Sequence, residues 1–70
     1  MTSLREARES LGLSQKAVAT AVHVSIPTYI RYEKTPEVMT VDKAMEVCNF
    51  LGCDVRDIFF GSELSKTHAN

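Results

Sequence analysis

Apolar side chains recur along this chain at helical spacing in five short runs, separated by residues that stop one helix and start the next. Leu4, Ala7, Arg8 and Leu11 fall on one face before Gly12, which predicts a first helix over residues 3–11. Leu13 makes a tight connection, and Ser14 is suited to N-cap a second helix running to about Val22, with Val18, Ala21 and Val22 facing inward. Ser25 is a second N-cap. Pro27 fits the first turn of a third helix, where the N–H it lacks would have no intrahelical acceptor, and that helix runs to about Glu33.

Thr35-Pro36-Glu37 reads as a loop, because proline disfavours helical conformation in the residue before it. Thr40 then caps a fourth helix whose buried stripe is Val41, Ala44, Val47, Cys48 and Leu51, ending at Gly52. Asp54 caps a short fifth helix, with Asp57 in an acidic first turn that suits the helix dipole, and Ile58, Phe59 and Phe60 close the fold. No run makes a convincing strand. The expectation is one compact all-α, five-helix domain over residues 1–60, followed by a polar tail, 61–70, that lacks periodicity.

The second and third helices have the layout of a helix-turn-helix. Two helices crossing at roughly 90–120° through a turn of three or four residues need a small residue at the contact and a turn residue that accepts positive φ. Ala19 supplies the small contact, and Val18, Val22, Val24, Tyr29 and Tyr32 form the inner faces. His23 stands where glycine would be easiest; histidine visits left-handed conformations more than most residues.

Length and charge bound the function. Seventy residues with 44% hydrophobic content is one small domain near the lower limit for folding alone, and two cysteines without zinc-like clustering offer no obvious staple. The chain lacks a signal-like apolar run and any stretch near the roughly 20 residues of a membrane span, so a cytoplasmic protein with reduced thiols is expected. A net charge of −1 is unusual for a nucleic-acid binder, but it is unevenly spread. Residues 1–35 hold Arg5, Arg8, Lys16, Arg31 and Lys34 against Glu6, Glu9 and Glu33; residues 36–70 hold Lys43, Arg56 and Lys66 against Glu37, Asp42, Glu46, Asp54, Asp57 and Glu63. The helix-turn-helix half is mildly basic and the other half acidic, a polarity able to orient the protein on a duplex.

Other chemistry is poorly supported. No Gly-rich phosphate loop, metal-ligand constellation or nucleophile–base grouping is visible, which argues against an enzyme, and no cofactor is implied. Cys48 and Cys53 read as core packing before they read as a metal or redox pair, because free cysteine behaves as a small hydrophobe. His23 reads as a turn residue, and His68 sits in the polar tail.

Three blocks, LREARESLGLSQ, AVATAVHVSIPTYIRYEK and PEVMTVDKAMEVCNFLGCDVRDIFF, resemble the Cro/repressor-type (lambda repressor-like) helix-turn-helix proteins of temperate phages and bacterial regulators. The resemblance covers residues 4–59 and implies a transcriptional regulator that binds double-stranded operator DNA through its third helix in a bacterial host cytosol. It implies that Gln15 lies against a DNA phosphate, that Ser25, Ile26, Pro27 and Arg31 face the groove, and that Arg8 and Glu33 form a structural ion pair. Lys16 and Lys34 would add phosphate contacts, and Thr28 and Ile30 belong to the same outward surface.

The departures from the family's pattern are informative. Ile26 and Pro27 occupy positions where polar side chains usually meet base edges, and Ile30 adds a third apolar residue. Direct readout then rests on Arg31, which can grip guanine through O6 and N7, with Ile26 touching a thymine methyl. The same apolar residues support a second reading, an antirepressor or modulator that binds a partner repressor protein through Ile26, Pro27 and Ile30. The family's glycine after Glu33 is absent, Lys34-Thr35 standing there. A homodimer through Ile58 and Phe60 is the natural means of reaching two half-sites, and a monomer pairing with a different protein is equally compatible.

Overall fold

A computed structural model describes residues 3–59. It places α1 at Leu4–Ser10, α2 at Gln15–Ala21, α3 at Ile26–Lys34, α4 at Val41–Leu51 and α5 at Val55–Phe59, with a single 3₁₀ turn, Pro36–Val38, between α3 and α4. The elements are all helical, as the periodicity predicts. The segment read as a plain loop after α3 instead closes this extra turn, because Pro36 at its first position has the right φ and no N–H to lose. Phe60 and the tail 61–70 lie outside the described residues.

Four helices start on a hydroxyl cap. Ser3, Ser14, Ser25 and Thr40 each accept a hydrogen bond from the backbone N–H three residues on. At α1 the box is reciprocal: the Glu6 N–H donates to Ser3 Oγ (3.0 Å) and the Ser3 N–H donates to Glu6 Oε1 (2.9 Å).

Three helices end on one device. After α1, α2 and α4 a residue with positive φ reverses the chain, and the next N–H donates to a carbonyl five residues back: Leu13 to Arg8 (3.3 Å), Val24 to Ala19 (3.0 Å) and Cys53 to Cys48 (3.0 Å). The reversing residues are Gly12 (φ 70°), His23 (φ 62°) and Gly52 (φ 72°). His23 therefore adopts the left-handed conformation that its position in the turn requires, carrying a Cβ that the two glycines avoid. The end of α3 is different. Without glycine, Thr35 leaves at φ −139° while its N–H donates to the Arg31 carbonyl (2.8 Å).

The core gathers Leu4 and Ala7 of α1, Val18, Ala19 and Val22 of α2, Tyr29 of α3, Met39, and Ala44, Val47, Cys48 and Leu51 of α4. Leu13, Val24, Tyr32, Ile58 and Phe59 pack against it half-buried. Two expected core positions fall outside. Leu11 is 52% exposed, because it is the C-cap of α1 and its side chain leaves the stripe. Val41 is 75% exposed, because at the first position of α4 it precedes the turn on which the buried stripe begins.

Candidate nucleic-acid interface

The crossing of α2 and α3 is built on complete burial. Val18 and Tyr29 are fully inaccessible and Ala19 and Val22 nearly so, which leaves space for close approach of the two helices. Tyr32 is half-buried and meets Tyr29 edge to face, with ring centroids 6.4 Å apart and planes at 82°. Lys43, reaching over from α4, donates through Nζ to the Val22 carbonyl (2.9 Å) at the end of α2 and to Glu46 (2.8 Å). A cation thus sits on the carbonyl end of α2, where the helix dipole favours it, beside the His23 turn.

The far end of α3 is held by a buried ion pair. The Arg8 Nε donates to Glu33 Oε2 (2.6 Å), Nη2 to Glu33 Oε1 (3.3 Å) and Nη1 to the Leu13 carbonyl (2.8 Å). The two side chains keep only 11% and 6% of their exposure. Burial alone would raise the Glu33 carboxyl, but Arg8, the nearby Tyr29 hydroxyl and the Gln15 amide outweigh it and hold the group below its usual range. The Arg8 guanidinium is raised by the same partner. The buried Tyr29 hydroxyl is pushed up by burial and then by the adjacent carboxylate; it lies beside that carboxylate without closing a hydrogen bond of ordinary geometry.

Gln15 belongs to this cluster. Its Nε2 donates to Glu33 Oε1 (3.0 Å), so the side chain is half-buried and tied to the clamp. Only one of the two amide hydrogens is used. A groove of about 340 Å³ opens here between Arg5, Arg8, Gln15, Ile30, Glu33 and Lys34. Ile30 lines it half-buried, so the apolar outer patch of α3 is smaller than a stripe of Ile26, Pro27 and Ile30 implies.

The N-terminal half of α3 faces solvent. Ser25, Ile26 and Pro27 are exposed, as is Arg31 one turn on. The Ser25 and Thr28 hydroxyls are mutually engaged: the Thr28 N–H donates to Ser25 Oγ (3.3 Å) and that hydroxyl donates to Thr28 Oγ1 (2.8 Å). The free polar reach of this surface therefore narrows to Arg31, with Lys34 at the end of the helix and Lys16 near the start of α2, all three exposed.

Ion pairing sharpens the charge asymmetry read from the sequence. Arg5 pairs with Glu9, Arg8 with Glu33, Lys43 with Glu46 and Arg56 with Asp54. Among the described residues, the cations left without an ion pair are Lys16, Arg31 and Lys34, all on α2 and α3. The anions left are Glu6, Glu37, Asp42 and Asp57, three of them on the 3₁₀ turn, α4 and α5. A net charge near zero hides a basic helix-turn-helix opposed to an acidic half. The roles of Lys43 and Gln15 were not legible in the sequence, because both depend on a partner at least eighteen residues away.

Cys48 is buried in the core and Cys53 half-buried against it, both as free thiols. Burial, reinforced by the neighbouring Cys53 thiol, pushes Cys48 up to about 12, which keeps it protonated and unreactive. Among the described residues no group of metal-ligating side chains comes together, and no helix is long and apolar enough to cross a membrane.

Two short helices crossing on a buried Val-Ala-Tyr contact, with the second presenting its N-terminal half to solvent, define a helix-turn-helix DNA-binding domain. A family model of helix-turn-helix proteins matches residues 4–58, and the chain belongs to that family, in its Cro/repressor-type, lambda repressor-like form. Members are DNA-binding transcription regulators, not enzymes. No curated protein and no solved structure gives a significant match.

Proposed function

We propose that this chain is the regulator of a phage-type genetic switch that inserts α3 into the major groove of operator DNA in the bacterial cytoplasm. The observation that carries this reading is that the unpaired cations among the described residues, Lys16, Arg31 and Lys34, all lie on the two helices of the helix-turn-helix. Arg31 reads guanine, Ile26 packs on a thymine methyl, and Lys16 and Lys34 hold phosphates. Gln15, oriented by Glu33, turns its second amide hydrogen to a phosphate. Two half-sites are reached by pairing of two copies through Ile58 and Phe60. Titrating the protein against DNA from its own control region at two salt concentrations tests this; tight, salt-steep binding to one site, weakened by Arg31→Ala, is the expected result.

A second reading is favoured by the exposure of Ile26, at 40%, and of Pro27 beside it. These side chains give base edges no hydrogen bonds and would anchor in a groove of a partner repressor, making the chain an antirepressor. Ile30, at the edge of the patch, completes it. A complex that forms only with the neighbouring repressor, is lost in Ile26→Asp and occurs without site-specific DNA binding would replace the operator reading with this one.

A further inference from the structure

An apolar groove of about 480 Å³ runs between the start of α4 and α5, away from the helix-turn-helix. Met39 and Ala44 form its floor, and Val41, Val55 and Phe59 its walls, with Glu37 at the rim. Folding covers the groove's floor and leaves one wall open. Val41 is three-quarters exposed, and Val38 (41%) on the preceding turn and Met45 (51%), one turn further along α4, are exposed as well. So much exposed aliphatic area on so small a domain marks an interaction surface.

Charge specifies the occupant. The bases on these elements are already neutralised, Lys43 by Glu46 and Arg56 by Asp54. Glu37 on the rim, Asp42 next to Val41 and Asp57 on α5 have no ion pair among the described residues. An apolar groove with the unpaired carboxylate of Glu37 at its rim, on the acidic half of the chain, complements an amphipathic helix that carries Lys or Arg beside its apolar stripe, with about two apolar side chains one turn apart filling the groove. A second copy docked groove to groove would bring Glu37 toward its own counterpart, which disfavours that occupant without bearing on a pairing through Ile58.

We infer that the groove between α4 and α5 is a docking site for a basic amphipathic helix of another protein. No residue lining it belongs to α2 or α3, so the partner can be held while the helix-turn-helix is engaged. The protein then joins a sequence-reading face to a recruiting face, and the inference stands whether or not α3 reads an operator.

The test is selection of a displayed library of helical peptides on the immobilised full chain, followed by fluorescence anisotropy of one recovered peptide. Recovered sequences enriched in Lys and Arg, with apolar residues three or four apart, are expected. Val41→Asp, a change at a side chain that is already exposed, is expected to weaken binding about tenfold or more, and Glu37→Lys about two- to fivefold. Circular dichroism and DNA titration serve as controls for both variants, since neither side chain is in the core or on α3. Neutral or acidic peptides, or equal binding to Val41→Asp, would overturn the inference. So would a concentration-dependent dimer abolished by Val41→Asp, which assigns the groove to a second copy. Peptide binding that appears only after residues 60–70 are deleted would overturn it in favour of the chain's own C-terminal segment.

Discussion

The two sides of α3 solve opposite problems. Its inner side and C-terminal end are over-determined: Tyr29 is fully buried, and Glu33 receives three hydrogen bonds from Arg8 and Gln15, residues of two other helical segments. Its outer, N-terminal side is sparsely functionalised, with Ile26 and Pro27 bare and the Ser25 and Thr28 hydroxyls spent on each other. The groove-reading role proposed for α3 would need this division. The clamp supplies rigidity without occupying any outward position of α3, and those positions are then free to vary without unfolding the domain.

The largest test of that division is removal of the clamp. Glu33→Ala leaves a buried guanidinium without its partner and is expected to cost about 3–5 kcal/mol, most of what a domain of this size has. Urea denaturation measures it, and a loss below about 1 kcal/mol would show that the pair is weakly coupled to folding. On the opposite side, Arg31→Ala should leave the denaturation midpoint unchanged while weakening operator binding by about 1–3 kcal/mol, read by titration against the cognate site. Equal losses in stability and binding would dissolve the comparison. Lys34→Ala should act more weakly, lowering the slope of log affinity against log salt by about one unit.

Next in size is the response to pH. Glu33 is held below its ordinary value, so its contribution is complete above about pH 4.3 and is lost as pH falls through the lowered value, the unfolded chain taking the proton first. Cys48, raised by burial to about 12, acts in the other direction. Its contribution is complete below the ordinary thiol value of about 8.5 and drains away as pH rises from there, with buried Tyr29 acting in the same sense. Denaturation midpoints across pH should therefore fall at both extremes. Glu33→Gln should flatten the acid limb and, by removing the carboxylate that helps raise Tyr29, ease the alkaline limb slightly.

The smallest effect is expected at the turn. His23 holds φ 62° without glycine's freedom, so His23→Gly should raise stability by about 0.5–1 kcal/mol. A loss instead would mean that the His23 side chain makes contacts worth more than the strain.

Much of this arrangement was legible in the chain itself. Ser14, Ser25 and Thr40 announced the starts of three helices, Gly12 and Gly52 the ends of two, and Val18, Ala19, Val22 and Tyr29 the crossing, because caps, reversals and period are local properties of the backbone. Local pattern failed where an apolar residue sat at a helix end. Leu11 and Val41 have the spacing of core positions, but Leu11 caps the end of α1 and Val41 precedes the buried turn of α4, so both are exposed, whereas Leu4 and Leu51, also at helix ends, are buried. The same residue type at a helix end is core or surface according to which way the packed helices turn it.

What sequence determined, then, was the set of helices, their order and the helix-turn-helix they form, since each is dictated by neighbours three or four positions away. Tertiary structure alone decided which charges remain available. The Lys43 ammonium is directed onto the end of α2 as well as onto its local partner Glu46, and the neutral Gln15 amide onto Glu33, while Arg31 and Lys34 have no ion pair among the described residues. The reason is physical: a hydrogen bond or ion pair across 18 to 25 residues depends on how helices pack, and packing is a property of the whole core.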